Sequence, residues 1–173
     1  MPILTPQQAL LIGFIVAPIL FGLSAYFTRA NKKRIFAALV AGRAFGLSNL
    51  LWDQAAFRLG WWNYPAFQEN NWWPLLYLPS GMVAGGAFGL IGWRATRRWG
   101  TKGLVIFILI WSVWGMIHDF GGGAAFQSSN LMSFAPGPVP VIADGLLYTF
   151  CQLAAQGILR LMAGPAAADE LQK

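Results

Sequence analysis

Three aspartates and the single histidine are the residues in this chain whose types and spacing point to chemistry. They are Asp53 in "LLWDQAAFRLGWWNYP", the adjacent pair His118 and Asp119 in "GMIHDFGGG", and Asp144 in "PVIADGLLY". Carboxylates and an imidazole gathered in a poorly solvated place tune one another's proton affinity and can serve as acid and base. Two arginines extend the set: Arg58, close after Asp53, and Arg43, ten residues before it. One His and one Cys make no conventional zinc or copper site, and an all-carboxylate site for a hard cation, though conceivable, has no fixed ligand spacing here. His118 follows Trp111 and Trp114 at helical spacing, which suits either an axial ligand to a haem or chlorophyll or simple aromatic packing; packing explains the face with fewer assumptions. The sequence carries no phosphate loop, nucleophile elbow or dinucleotide fingerprint.

The elements that must position these residues are membrane helices. Of 173 residues, 57% are hydrophobic and only 10% charged, and the mean hydropathy is +0.53. A domain of this length has too little interior to hide that much apolar surface, so lipid must cover the rest. The composition predicts an all-α polytopic bundle forming one domain over 1–173, with about five spans at 8–28, 34–59, 74–96, 103–120 and 139–163. Basic residues fall on alternate loops: Arg29, Lys32, Lys33 and Arg34 on the first, Arg94, Arg97, Arg98 and Lys102 on the third, and none on the second or fourth. The positive-inside rule then puts the N-terminus outside and the C-terminus in the cytoplasm. The first segment has no basic residue before its apolar core, the reverse of a secretory signal, and reads as a retained span. The expected setting is the prokaryotic cytoplasmic membrane, with the bilayer as a partner. The net charge of +6 lies in short clusters beside apolar runs, which suits anchoring rather than nucleic-acid binding.

On this topology Asp53, His118, Asp119 and Asp144 converge on the outer half of the bundle. The competing reading treats each as a helix-end residue: His118 complementing a C-terminal turn before the glycines, Asp144 favouring an N-terminus after its prolines. Arg43, nine residues into the second span, sits near mid-membrane and calls for a partner or a wet cavity. Trp52, Trp61, Trp62, Trp72 and Trp73 cluster where an outer aromatic belt belongs, and Trp93 and Trp99 flank the cytoplasmic side. Gly81, Gly85 and Gly89 recur every four residues, as do Ala38, Gly42 and Gly46. Such faces predict a close contact between spans two and three or a homo-oligomer seam.

The chain also echoes itself. Asp53 matches Asp119, Pro79 matches Pro140 and Arg94 matches Arg160, as though two copies of one helical unit were joined. The residues "WDQAAFRLGWWNYP" and "PVIADGLLY" resemble the small integral membrane lycopene cyclases of the heterodimeric bacterial and fused fungal or archaeal type. The resemblance covers 50–95 and, more faintly, 115–160, matching at Asp53, Arg58, Trp61, Pro79, Pro140 and Asp144. It implies an acid–base isomerase in which acids protonate a polyene end and steer the carbocation. The first proline is followed by Ser80 and Gly81 rather than by a carboxylate, so the family's acidic motif is incomplete. Two expectations result. One is a non-catalytic accessory or pigment- or lipid-binding subunit of a larger membrane complex, holding a carotenoid, quinone or chlorophyll or haem. The other is an enzyme or enzyme subunit acting on a polyene or isoprenoid lipid, with Asp144, Asp119 and Asp53 catalytic and Arg58, Trp61, His118, Trp111, Trp114 and Arg43 around the ligand.

Overall fold

The computed structural model describes residues 6–65, 73–121 and 132–169. Trp72 and the glycines that follow Gly121 lie outside them. The architecture is predominantly helical: α1 (Pro6–Thr28), α2 (Lys32–Arg58), α3 (Trp73–Met116), a short π turn (Ile117–Gly121), and α4 (Pro138–Ala163), with a 3-10 turn at Ala166–Ala168. Four of these helices are long and apolar enough to cross a membrane. Large apolar side chains such as Leu11, Phe36, Leu51, Leu109 and Phe150 point outward, as lipid-facing residues do.

The longest helix is not straight. Gly100 takes φ 63° and ψ −150°, a conformation that only glycine adopts at little cost, and the chain reverses there. On either side of it Phe88 and Trp111 lie with ring centroids 3.7 Å apart, although 23 residues of continuous helix would separate them by about 35 Å. The two arms of α3 therefore form a helical hairpin, and they coincide with the helices expected over 74–96 and 103–120. A side chain on Gly103 would run into the Ala95 carbonyl, so the turn needs a second glycine.

Packing is made by small residues. A β-carbon on Gly42 would lie 2.8 Å from the Gly86 amide nitrogen, and one on Gly86 would lie 2.8 Å from the Ala38 carbonyl oxygen. These approaches bring the backbones of α2 and the first arm of α3 together, the contact expected from their spacing. Gly85 faces Phe45 and Gly89 faces Leu159, so this glycine face is occupied by α2 and α4 of the same chain.

Two ends of the bundle differ in character. At one, the start of α2, the end of α4 and the Gly100 turn come together around Arg34. Its guanidinium is buried, bonds Asp169 at 3.1 Å and lies 4.8 Å over the Trp93 ring. It also donates to the carbonyls of Leu159, Ala163 and Gly164 at the C-terminal end of α4, where the helix dipole favours a cation. At the opposite end, strands β1 (Trp62–Asn63) and β2 (Ser133–Phe134) pair antiparallel, with Trp62 opposite Phe134. This short ribbon, absent from the sequence reading, ties the two loops that lack basic residues to each other.

Candidate acid–base site

The acidic residues gather at the ribbon end, carried by three elements. Asp53 sits five residues before the end of α2, Asp119 lies in the π turn that closes α3, and Asp144 is six residues into α4. Asp53 and Asp144 are buried, and the Asp119 side chain is 16% exposed.

Each carboxylate has a different environment. Asp53 Oδ1 accepts the Trp62 Nε1–H and the Tyr64 hydroxyl, both at 3.0 Å. Asp119 Oδ2 accepts the Tyr148 hydroxyl at 2.8 Å, and its Oδ1 lies 2.6 Å from His118 Nδ1. Asp144 is the exception. It is wholly buried, yet neither of its oxygens has a hydrogen-bond donor among the described side chains and backbone amides. The carboxylates near enough to act on it electrostatically are Asp119 and, more weakly, Asp53. A buried oxygen without a donor is costly, and a buried charge without a partner costs more. A proton on one of these carboxylates would supply the donor that neither Asp144 oxygen has.

The helix-end reading does not describe Asp144. The N-cap of α4 is Gly137, with no side-chain cap bond, and Asp144 lies in the second turn. His118 and Asp119 do end a helix, but Asp119 spends its oxygens on Tyr148 and His118 rather than on backbone amides. Tyr148 follows Asp144 by one helical turn and Gln152 by a second, so α4 turns a polar stripe inward. Gln152 is fully buried, and its amide too has no partner among the described residues. Gly115 makes room for Tyr148, since a β-carbon there would fall on the tyrosine ring.

Several expected site residues lie elsewhere. Arg43 is exposed on the outer surface of α2, away from the carboxylates, with no ion pair among the described residues. Arg58 ends α2 with its side chain exposed. Trp61 packs on the core edge beside Trp62, at 6.4 Å between centroids. Trp111, Trp114 and His118 do share a face, stacked on one another at 4.7 and 5.0 Å, so the protein's own rings cover one another there. Trp62 and Trp93, expected as interfacial anchors, are each 1% exposed and act instead as an Asp53 donor and an Arg34 platform. Trp99, 60% exposed, keeps the position of an anchor.

Tyr64 and Tyr148 were not singled out from sequence, and Trp62 was expected only as an interfacial anchor. The spacing of Tyr148 from Asp144 carried that information; the folding of Trp62 and Tyr64 back onto Asp53 depends on the turn after α2, which no periodicity encodes. A cavity of about 340 Å³ is lined by Phe57, Trp62, Asn63, Ser133 and Phe134; none of the three carboxylates lines it, and Trp62 connects it to Asp53 through its indole N–H. No ligating group of three or more His, Cys, Asp or Glu is present among the described residues. Comparison with protein-family models, with curated proteins and with solved structures gave no match.

Proposed function

We propose that the chain is a membrane enzyme, or the catalytic subunit of one, that isomerises an isoprenoid polyene by acid–base chemistry. It crosses the bilayer five times, counting each arm of α3, with the acidic end outside and the basic end in the cytoplasm. The observation that carries this reading is Asp144: wholly buried, without a donor, and facing a second carboxylate. Such a group lowers stability, and a capping or packing role gives no reason for it.

The chemistry balances without a change in electron count. The proton held by Asp144 adds to a terminal carbon–carbon double bond, leaving a tertiary carbocation. A second double bond of the same chain attacks that centre and closes a ring. A neighbouring carboxylate removes a proton from the adjacent carbon, and the product is an isomer of the substrate. Asp53, held by two donors, suits the part of the ionised base that also stabilises the cation. The rings of Phe57 and Phe134, which line the cavity walled by Trp62, offer the kind of π face that a carbocation favours. His118, 41% exposed and bonded to Asp119, connects the buried pair to water for reloading. Co-expression with a pathway that accumulates an acyclic polyene tests the reading: cyclised product is expected with the parent chain and none with Asp144→Asn, at equal protein levels. Full conversion by the variant would sink it.

A second reading rests on Arg43. Exposed among the outward-facing Leu39 and Leu47, midway along α2, it would cost at least about 3 kcal/mol bare to lipid. A transmembrane helix of another protein that presents a carboxylate at this depth relieves that cost. The described carboxylates of the spans in this chain are turned inward, so a second copy does not supply one. On this reading the chain is a subunit of a larger membrane complex. A co-purifying membrane protein that is lost in Arg43→Leu is the expected result; unchanged co-purification contradicts it.

A further inference from the structure

A second site lies at the other end of the molecule. Arg94, Arg97 and Arg98 follow one another at helical spacing before the Gly100 turn, and with Ala167 beyond α4 they line a cavity of about 340 Å³. No carboxylate among the described residues lines it. The nearest acid along the chain, Asp169, is already bonded to Arg34 and Asn31. The Nε of Arg97 is buried without an acceptor among the described residues, and the Arg98 guanidinium is held 5.1 Å over the Trp99 ring. Three cations on one turn of helix repel one another. Crowding them around a cavity, with one donor desolvated and idle, makes sense when an anion fills it.

We propose that this cavity binds a phosphate group, supplied by an anionic phospholipid headgroup or by phosphate in solution. Guanidinium forks match phosphate oxygens in pairs, and the anion accepts the idle Arg97 donor. The exposed Trp99 places the cavity at the headgroup level of the bilayer. The site is separate from the acid–base cluster, and its occupancy does not depend on the isomerase reading.

The test uses the full chain in phosphatidylcholine nanodiscs, with two probes: phosphatidylglycerol added as a minor lipid, its bound copies counted by native mass spectrometry, and inorganic phosphate followed by phosphorus NMR. Two variants remove the site in different ways. Arg97→Gln with Arg98→Gln removes donors, and Ala167→Phe fills the cavity without altering charge. Lys32→Gln with Lys33→Gln removes the same charge from exposed positions at the same end. One retained phosphatidylglycerol, weakened at least about tenfold in both site variants and kept in the lysine variant, is the expected result; a tenfold loss is what one charge-assisted hydrogen bond carries. Binding of inorganic phosphate alone, with the same pattern, assigns the site to a soluble ligand. Equal losses in the lysine and arginine variants, retention in Ala167→Phe, no binding of either probe, or tighter binding in Glu170→Gln (the chain's own carboxylate then being the occupant) would each overturn the proposal.

Discussion

Replacing Gly42 by Ala should loosen the whole bundle, and its size can be worked from the α2–α3 seam. The added carbon would sit 2.8 Å from the Gly86 nitrogen, where ordinary contact begins at 3.4 Å, and nearer still to the Met82 carbonyl oxygen. Both obstacles are backbone, so neither can rotate aside, and the helices must part by more than 0.6 Å. Overpacking of this kind costs about 3 kcal/mol at the upper end of its range. The better helix propensity of Ala returns about 1 kcal/mol, leaving a net loss of about 2 kcal/mol. Gly157→Ala is the matched control, because a β-carbon there meets nothing within 4 Å; it should be neutral or stabilising by up to about 1 kcal/mol. Equilibrium unfolding in mixed detergent and SDS micelles, followed by tryptophan fluorescence, measures both. Equal stability of the two variants would refute the close backbone approach and with it the placement of α2, the helix that carries Asp53.

Other consequences follow from single contacts. Gly115→Ala should push the Tyr148 ring off its bed at a stability cost of about 1–3 kcal/mol and break its bond to Asp119; Tyr148→Phe, which removes the bond without the clash, should cut turnover by tenfold or more while the melting temperature changes little, and an unaffected rate in both would remove Tyr148 from the site. Arg34→Gln leaves Asp169 with Asn31 but no cation and takes the cation from three helix-end carbonyls, at a cost of about 3 kcal/mol in the same unfolding assay. Adding Asp169→Asn should restore part of that loss, and additive losses in the double variant would show that the two residues do not interact.

What the sequence made legible was set by periodicity and composition. Apolar length gave the helices, and small residues at intervals of four gave the seam between α2 and α3, because both follow from the regular geometry of a helix. The convergence of Asp53, Asp119 and Asp144 on one end followed from counting helices and alternating their direction. Their individual surroundings did not, since they depend on how irregular segments fold back. Trp62 leaves the interface to bond Asp53 through a turn of a few residues, and the β1–β2 ribbon pairs residues some 70 apart along the chain. Arg34 looked like one more basic loop residue; its burial became visible only once the end of α4 was seen to stop against it. Arg43 shows the opposite error. It stands midway along α2, but position along a helix says nothing about azimuth when apolar residues surround it on every side, and its side chain faces outward.

The central claim is that Asp144 delivers a proton to carbon. Proteoliposomes containing the full chain and an acyclic polyene, incubated in heavy water, measure that transfer directly by the mass of the extracted lipid. The account predicts a gain of one deuterium per ring closed in the presence of the parent protein, abolished by Asp144→Asn at equal reconstitution. Unlabelled polyene with the parent chain, or equal labelling with the variant, would contradict it.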